Sequence, residues 1–307
     1  MRPEDFAHEY VRVNGIRMHY ARAGDGPRLL VMLHGFPQCW WMWRHQLALF
    51  LPAVAADEAD RARRAALAGR FTAVAPDLRG YNETDRPNWG YTLDVLTDDI
   101  AELIRALGRQ RGVVAGHDWG GAIAWSLAIA RPEQVERLIV ANMPHPALFA
   151  RALGRNWRQM LRSWYAAFFQ LPWLPEAALR ANDFAALDRM LRATASNKAA
   201  FDTQDIQIYK QALSRPGALT AALDYYRAAV RHGPRGLYRG TEMRVAAPTL
   251  LIWGEDDPAL GKELVDGTDR FAADLRVRFM PGCSHWVMEE RPAQTSQQLI
   301  EFLDELR

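Results

Sequence analysis

The sequence predicts an α/β fold, in which helices cover a mostly parallel β-sheet and a helical segment is inserted late in the chain. Three observations lead to this prediction. Short, almost wholly apolar runs recur along the chain, and helical patterns lie between them. After residue 142, roughly a hundred residues keep a helical periodicity without a strand between them. Apolar runs of this kind suit strands that are buried on both faces of a parallel sheet.

The chain is expected to begin with an antiparallel hairpin. Polar and apolar residues alternate over residues 9–13 and 16–22. Between them, Asn14 and Gly15 suit the positive backbone angles of a tight turn.

Buried strands and helices are then expected to alternate. The apolar runs predict strands at residues 29–33, 71–75, 112–115, 138–141, 249–253 and 277–280. Helical periodicity predicts helices at residues 41–51, 92–107, 119–130 and 294–306, with a solvated helix within 53–70. Because the alternation stops after residue 142, we expect residues 1–142 and 245–307 to form the core domain and residues 143–244 a helical cap.

Composition and charge narrow the classes of function. Among the 307 residues, 38 Lys and Arg nearly balance 36 Asp and Glu without a basic tract, which predicts no nucleic-acid partner. No apolar stretch has the length of a membrane span or the form of a signal peptide, so no integral membrane segment is expected. Cys39 and Cys283 are too few for a disulfide framework and lack metal-ligand spacing, so we expect a cytoplasmic protein without a metal site.

The motif GHDWGG at residues 116–121 follows the apolar run at 112–115. Its glycines permit a sharp turn between strand and helix that lifts the Asp118 side chain above the sheet. The helix N-terminus and nearby N–H groups favour the ionised carboxylate. We therefore predict that Asp118 attacks a saturated carbon and forms an ester on its own side chain. No Gly-x-Ser-x-Gly motif occurs in the chain, which removes the usual esterase nucleophile.

Two further motifs place an acid and a histidine after later strands. Asp256 and Asp257 follow the run at 249–253, and His285 follows the run at 277–280. We predict that His285 activates water against the ester and that Asp257 orients its ring, with Asp256 as the alternative acid.

The motif HGFP at residues 34–37 follows the first apolar run, at residues 29–33. A turn there can aim the Phe36 N–H at a developing oxyanion, and the Trp119 N–H is the second predicted donor. These two N–H groups would stabilise the tetrahedral state of ester hydrolysis.

In combination, these motifs resemble the soluble epoxide hydrolase family of the α/β-hydrolase fold, over nearly the whole chain. The matching segments are residues 34–37, 77–81, 116–121, 254–258 and 283–286. The resemblance implies a mostly parallel central sheet flanked by helices, with an inserted helical cap. It also implies an enzyme without a cofactor that uses water to open a small apolar epoxide to a vicinal diol.

The resemblance further implies two cap tyrosines that donate hydrogen bonds to the epoxide oxygen. Tyr165, four residues before Phe169-Gln170, fits the first position. Tyr226 fits the second position, with Tyr225 as the alternative.

The motifs also suggest where an apolar substrate binds. Eleven tryptophans, several of them beside the motifs, favour an aromatic-rich pocket. The residues expected to contact the substrate are His34, Pro37, Trp119 and Trp286.

Alternatives to epoxide hydrolysis remain open. A haloalkane dehalogenase would use Asp118 in the same way, with the Trp119 indole holding the halide, and another hydrolysis is a further alternative. An opened epoxide leaves as a basic alkoxide and needs a nearby acid such as a phenol, so paired tyrosines favour the epoxide. A non-catalytic binding protein on this fold would be free to lose Asp118, Asp257 or His285. The oligomeric state is left open, with a homodimer as one candidate.

Overall fold

A computed structural model describes residues 1–233 and 242–306. Its centre is an eight-stranded sheet with the strand order β1-β2-β4-β3-β5-β6-β7-β8. The strands are β1 Ala7–Val13, β2 Ile16–Ala23, β3 Arg28–Leu33, β4 Phe71–Pro76, β5 Gly112–His117, β6 Val135–Ala141, β7 Thr249–Gly254 and β8 Leu275–Met280.

Strand pairing follows the sequence prediction. β1 pairs with β2 and β2 with β4 in antiparallel fashion, and the strands from β4 to β8 pair in parallel. Asn14 and Gly15, with φ of 45° and 77°, form the turn between β1 and β2. The predicted antiparallel start and the mostly parallel sheet are therefore confirmed.

Helices lie between the strands. They are α1 Arg44–Leu47, α2 Glu58–Arg70, α3 Leu93–Ala106, α4 Trp119–Ala130, α5 Pro146–Arg155, α6 Trp157–Arg162, α7 Trp164–Phe168, α8 Leu174–Thr194, α9 Thr203–Ser214, α10 Ala218–His232, α11 Val287–Glu290 and α12 Pro292–Asp304. The predicted helices at 92–107, 119–130 and 294–306 correspond to α3, α4 and α12, within two residues at each end. The solvated helix expected within 53–70 is α2, whose first turn is capped by Asp57.

The single helix predicted at residues 41–51 was wrong. This stretch is broken into a 3₁₀ turn, one helical turn and a second 3₁₀ turn at Trp40–Trp43, Arg44–Leu47 and Ala48–Phe50. Residues that are distant in sequence hold this stretch in place. The Trp40 N–H donates to Asp77 at 3.1 Å, and the Trp41 indole donates to Asp205 at 2.7 Å. The side chains of residues 40–43 are all buried, so packing on every side, and not local preference, sets the conformation of this stretch.

The helices α5 to α10 are inserted between β6 and β7. The proposed domain bounds, 1–142 with 245–307 for the core and 143–244 for the cap, stay a prediction. The predicted cap includes residues 234–241, which lie outside the described residues. Within the described ranges, no helix has both the length and the apolar character that a membrane span requires.

The central strands are buried along almost their whole length, as apolar runs in a parallel sheet should be. Val31 on β3, Val114 on β5 and Val140 on β6 have no exposed surface. By contrast, β8 lies at the sheet edge and exposes Arg278 and Phe279. The carboxyl ends of β3, β5, β6 and β7 therefore lie together at one edge of a rigid, buried sheet. Functional loops can project from this edge.

Candidate active site

Asp118 occupies a sharp turn between β5 and α4. Its φ of 50° and ψ of −121° are strained for a residue other than glycine, and such strain is often found at functional sites. The turn depends on small neighbours. A Cβ on Gly116 would lie 2.2 Å from the Gly120 carbonyl oxygen, and a Cβ on Gly120 would lie 2.2 Å from the Leu33 carbonyl oxygen. The GHDWGG motif thus forms the turn that the sequence predicts.

The Asp118 carboxylate faces the end of β3. Its Oδ2 accepts a hydrogen bond of 2.9 Å from the Phe36 N–H. Gly35 permits this approach, because a Cβ there would lie 2.5 Å from the same oxygen. Burial raises the pKa of Asp118, while the charge on His285 and the N–H groups of Trp119 and Phe36 oppose that rise. The two predicted oxyanion donors therefore both act on this carboxylate.

His285 lies between two carboxylates. Its Nδ1 is 2.7 Å from Asp257 Oδ2, and its Nε2 is 3.9 Å from Asp118 Oδ1. Asp256, the alternative acid, is exposed, and its backbone N–H donates to the Cys283 carbonyl at 2.9 Å. The structure thus brings Asp118, His285 and Asp257 together and leaves Asp256 outside the group.

Asp257 is held by three further donors. Its Oδ1 accepts from the N–H groups of Ala259 at 2.7 Å and Leu260 at 2.9 Å, and its Oδ2 accepts from Asn142 Nδ2 at 2.7 Å. Asn142 in turn accepts from the Gly254 N–H at 3.0 Å, which ties the end of β6 to the end of β7.

Sequence reasoning missed Asn142. The available signal was its place directly after the apolar run of β6, at the edge of the sheet where the other polar groups collect. A single asparagine in that place carries no motif of its own.

The charges around His285 stabilise its protonated form. Burial opposes the charge, but the carboxylates of Asp257 and Asp118 outweigh it and raise the pKa of His285 to about 9. Burial also disfavours the charged form of Asp257, yet the charge and hydrogen bond of His285 hold the pKa of Asp257 below its usual value. In the free protein the histidine therefore carries a proton at neutral pH.

A cavity of about 330 Å³ lies above Asp118 and Trp119, and Tyr165 and Tyr226 of the inserted helices line it. The two tyrosine rings meet edge to face with centroids 5.8 Å apart. Burial, together with the charge of Asp118, raises the pKa of both hydroxyl groups, so both stay protonated donors. Tyr225, the substitute considered for Tyr226, donates its hydroxyl to the Arg79 carbonyl at 2.8 Å.

Only one of the four expected substrate contacts, Trp119, is among the residues that line this cavity. His34 is buried with its Nδ1 against the Gly35 carbonyl at 3.1 Å and its Nε2 accepting from the Leu78 N–H at 3.0 Å. Trp286 donates its indole N–H to Thr194 Oγ1 at 2.8 Å. Pro37 is buried in the turn after β3. His34, Pro37 and Trp286 thus lie outside the set of residues that line the cavity.

Comparison with known proteins places the chain in a family. Residues 28–292 match the family model of the α/β hydrolase fold. The chain is 36% identical over 308 residues to human epoxide hydrolase 4, a match that covers 97% of this chain and 79% of that protein. The chain belongs to the epoxide hydrolase family of α/β hydrolases. A further relative, the AB hydrolase superfamily protein YfhM of Bacillus subtilis, is 40% identical over 299 residues, which are 96% of this chain and 97% of that protein.

Solved structures agree with this family assignment. An epoxide hydrolase from Bacillus megaterium in complex with an inhibitor superimposes with a TM-score of 0.82 and 30% identity, covering 96% of this chain and 100% of that one. The epoxide hydrolase VrEH1 from Vigna radiata superimposes with a TM-score of 0.81 and 26% identity, covering 99% of this chain and 100% of that one. The fold class and the family that the sequence predicts are therefore confirmed for this chain.

The pairing of His285 with Asp118 leads to a prediction about proton affinity. Replacement of Asp118 by Asn removes a carboxylate that stabilises the imidazolium, so the pKa of His285 should fall below its value of about 9. The shift is measured by following the imidazole NMR signals of His285 against pH. Asp256→Asn is the matched control, because Asp256 is exposed and should leave the titration unchanged. An unchanged pKa in Asp118→Asn would show that the two side chains are not coupled.

Proposed function

We propose that this protein is an epoxide hydrolase that opens a small apolar epoxide to a vicinal diol through an ester on Asp118. The observation that carries the proposal is the placement of Asp118, Tyr165 and Tyr226 on one largely apolar cavity, with His285 Nε2 at 3.9 Å from the carboxylate. The names of the relatives, human epoxide hydrolase 4 among them, support the same reaction. Its partners are then the epoxide and water.

The first step uses the free oxygen of the Asp118 carboxylate. Because Oδ2 is held by the Phe36 N–H, Oδ1 is the atom that attacks an epoxide carbon. The ring C–O bond breaks, and its electron pair moves to the epoxide oxygen. Tyr165 and Tyr226 donate hydrogen bonds to that oxygen, and one of them supplies the proton that converts the alkoxide to a hydroxyl. The product of this step is a hydroxyalkyl ester of Asp118.

The second step uses His285 as a base. Ester formation removes the negative charge of Asp118, which lowers the pKa of His285 and favours the neutral ring. The proton that His285 loses passes through solvent to the tyrosinate that the first step leaves. The ring then takes a proton from water, and the hydroxide attacks Cγ of Asp118. The N–H groups of Phe36 and Trp119 stabilise the negative charge that develops on Oδ2. Collapse of this intermediate breaks the bond between Cγ and Oδ1, so that Oδ1 leaves with the substrate. The proton of the added hydroxyl passes to the departing oxygen, which releases the diol and restores the carboxylate beside the protonated histidine.

The leaving group separates epoxide opening from dehalogenation. A halide leaves as a weak base and needs only hydrogen-bond donors, whereas an alkoxide needs an acid. Two phenols whose raised pKa keeps them protonated line the same cavity as the nucleophile, which favours the epoxide.

The proposed location remains the cytoplasm, on the ground that both cysteines are buried and unpaired.

Replacement of His285 by Gln should block the second step and leave the first intact. The peptide that contains Asp118 should then gain the full mass of the epoxide after one turnover, measured by mass spectrometry of a digest. In the control Asp118→Asn/His285→Gln, this adduct should be absent. Consumption of epoxide by His285→Gln without an adduct would contradict the ester mechanism.

Removal of the two phenol hydroxyls should slow ring opening. Tyr165→Phe/Tyr226→Phe should reduce the single-turnover rate of ester formation by at least about a hundredfold, the usual scale of acid catalysis. Tyr225→Phe is the matched control, because its hydroxyl donates to the Arg79 carbonyl, and its rate should stay close to that of the wild type. Equal rates for the double variant and the control would rule out tyrosine assistance.

A further inference from the structure

The inserted helices carry an exposed apolar surface on α5, α6 and α7. Trp157, Met160, Leu161 and Trp164 follow the i, i+3, i+4, i+7 spacing of one helical face. Their exposed fractions are 64%, 54%, 63% and 65%, and Leu153 at the end of α5 is 40% exposed. We call these five residues the cap patch. Large exposed apolar side chains grouped within residues 153–164 are typical of an interaction site.

The surroundings of the cap patch are cationic. Residues 146–175 contain four arginines and no Asp or Glu. Arg151, Arg155 and Arg158 are exposed, and Arg158 lies over the Trp157 ring at 5.5 Å from its centroid. Arg162 is paired with Glu263 of the core at 3.3 Å. The surface therefore combines tryptophan, aliphatic side chains and positive charge.

The cap patch borders the cavity above Asp118. Leu153 belongs to both, since it is exposed and also lines the cavity. Phe149 and Ala150 of the same helix line the cavity, as does Val230 of α10, which is 61% exposed. The outer end of the cavity is thus bounded by residues of the cap patch and their neighbours.

We propose that the cap patch binds the surface of an anionic lipid bilayer, with the outer end of the cavity facing the lipid. Tryptophan prefers the interface between headgroups and acyl chains, and arginine attracts anionic headgroups. Aliphatic side chains between them enter the outer acyl region. This binding is peripheral, through one face of short helices. Delivery of an epoxide from the bilayer to Asp118 additionally rests on the proposed function, whereas the binding does not.

Charge favours a lipid surface over a second copy of the chain. A twofold dimer through the cap patch would bring the same arginines of both copies together. Glu263 is paired with Arg162, and residues 146–175 offer no carboxylate for Arg151, Arg155 and Arg158, so these three arginines would repel one another across such a contact. An anionic bilayer supplies both the apolar layer and the negative charge that the surface lacks.

Sedimentation with vesicles tests the proposal. The full-length protein should sediment with vesicles of equal parts phosphatidylglycerol and phosphatidylcholine, and much less with phosphatidylcholine alone. Trp157→Ala/Trp164→Ala should weaken the partition coefficient by at least about tenfold through lost apolar insertion. Arg155→Gln/Arg158→Gln should weaken it by about tenfold or more through lost attraction to the anionic headgroups.

The matched control is Arg278→Gln/Phe279→Ala, an exposed arginine and aromatic pair on the edge strand β8, which should bind vesicles like the wild type. The proposal is overturned if the wild type does not sediment with the anionic vesicles, or if the control loses binding as the patch variants do. It is also overturned if light scattering shows a dimer that Trp157→Ala/Trp164→Ala abolishes. Diol formation in vesicle-free buffer is measured in parallel, so a failure of the lipid proposal is distinguished from a failure of the enzymatic one.

Discussion

The strained backbone of Asp118 is the constraint on which the rest of the site depends. With φ at 50°, the residue is held above the sheet by a turn whose neighbours must be glycine. The turn lies at the end of β5, between the buried strands β3 and β6, so it cannot relax without disturbing the centre of the sheet. The Asp118 carboxylate is thereby held next to the Phe36 N–H and the His285 ring. Strain of this kind persists only where the surrounding structure determines it.

The second organising feature is a buried arrangement of alternating charge. His285 lies between the carboxylates of Asp257 and Asp118, and Asn142 with the N–H groups of Ala259 and Leu260 satisfies the rest of Asp257. Such a group is stable only while each charge is paired. In the proposed mechanism, ester formation removes one of the two negative charges. Loss of that charge lowers the pKa of His285, so the ester forms before the histidine acts as the base.

Sequence patterns predicted those features that local chemistry determines. The Asn14-Gly15 turn, the apolar strands and the glycine-rich turn around Asp118 each depend on residues within a few positions of one another. Their order along the chain was enough to predict the mostly parallel sheet and the meeting of Asp118, Asp257 and His285.

Features that depend on distant partners were not predictable in this way. The segment 41–51 is buried on every side at its start and anchored through Trp40 and Trp41 to Asp77 and Asp205, which are far away in sequence. His34 and Trp286 were expected to contact substrate, but their ring nitrogens are directed to other protein groups. Asn142 was missed because one polar residue at a strand end has no pattern. Side-chain direction is decided by packing, which the order of residue types does not encode.

In the proposed mechanism, an Asp118 oxygen bonds to the substrate carbon before water does. The decisive measurement is a single turnover in heavy-oxygen water, with enzyme in excess over an epoxide. If Asp118 is the nucleophile, the first diol contains no heavy oxygen and the label is found in the Asp118 carboxylate, measured by mass spectrometry of both. Heavy oxygen in the first diol, with none in Asp118, would show direct attack by water and would contradict the ester mechanism.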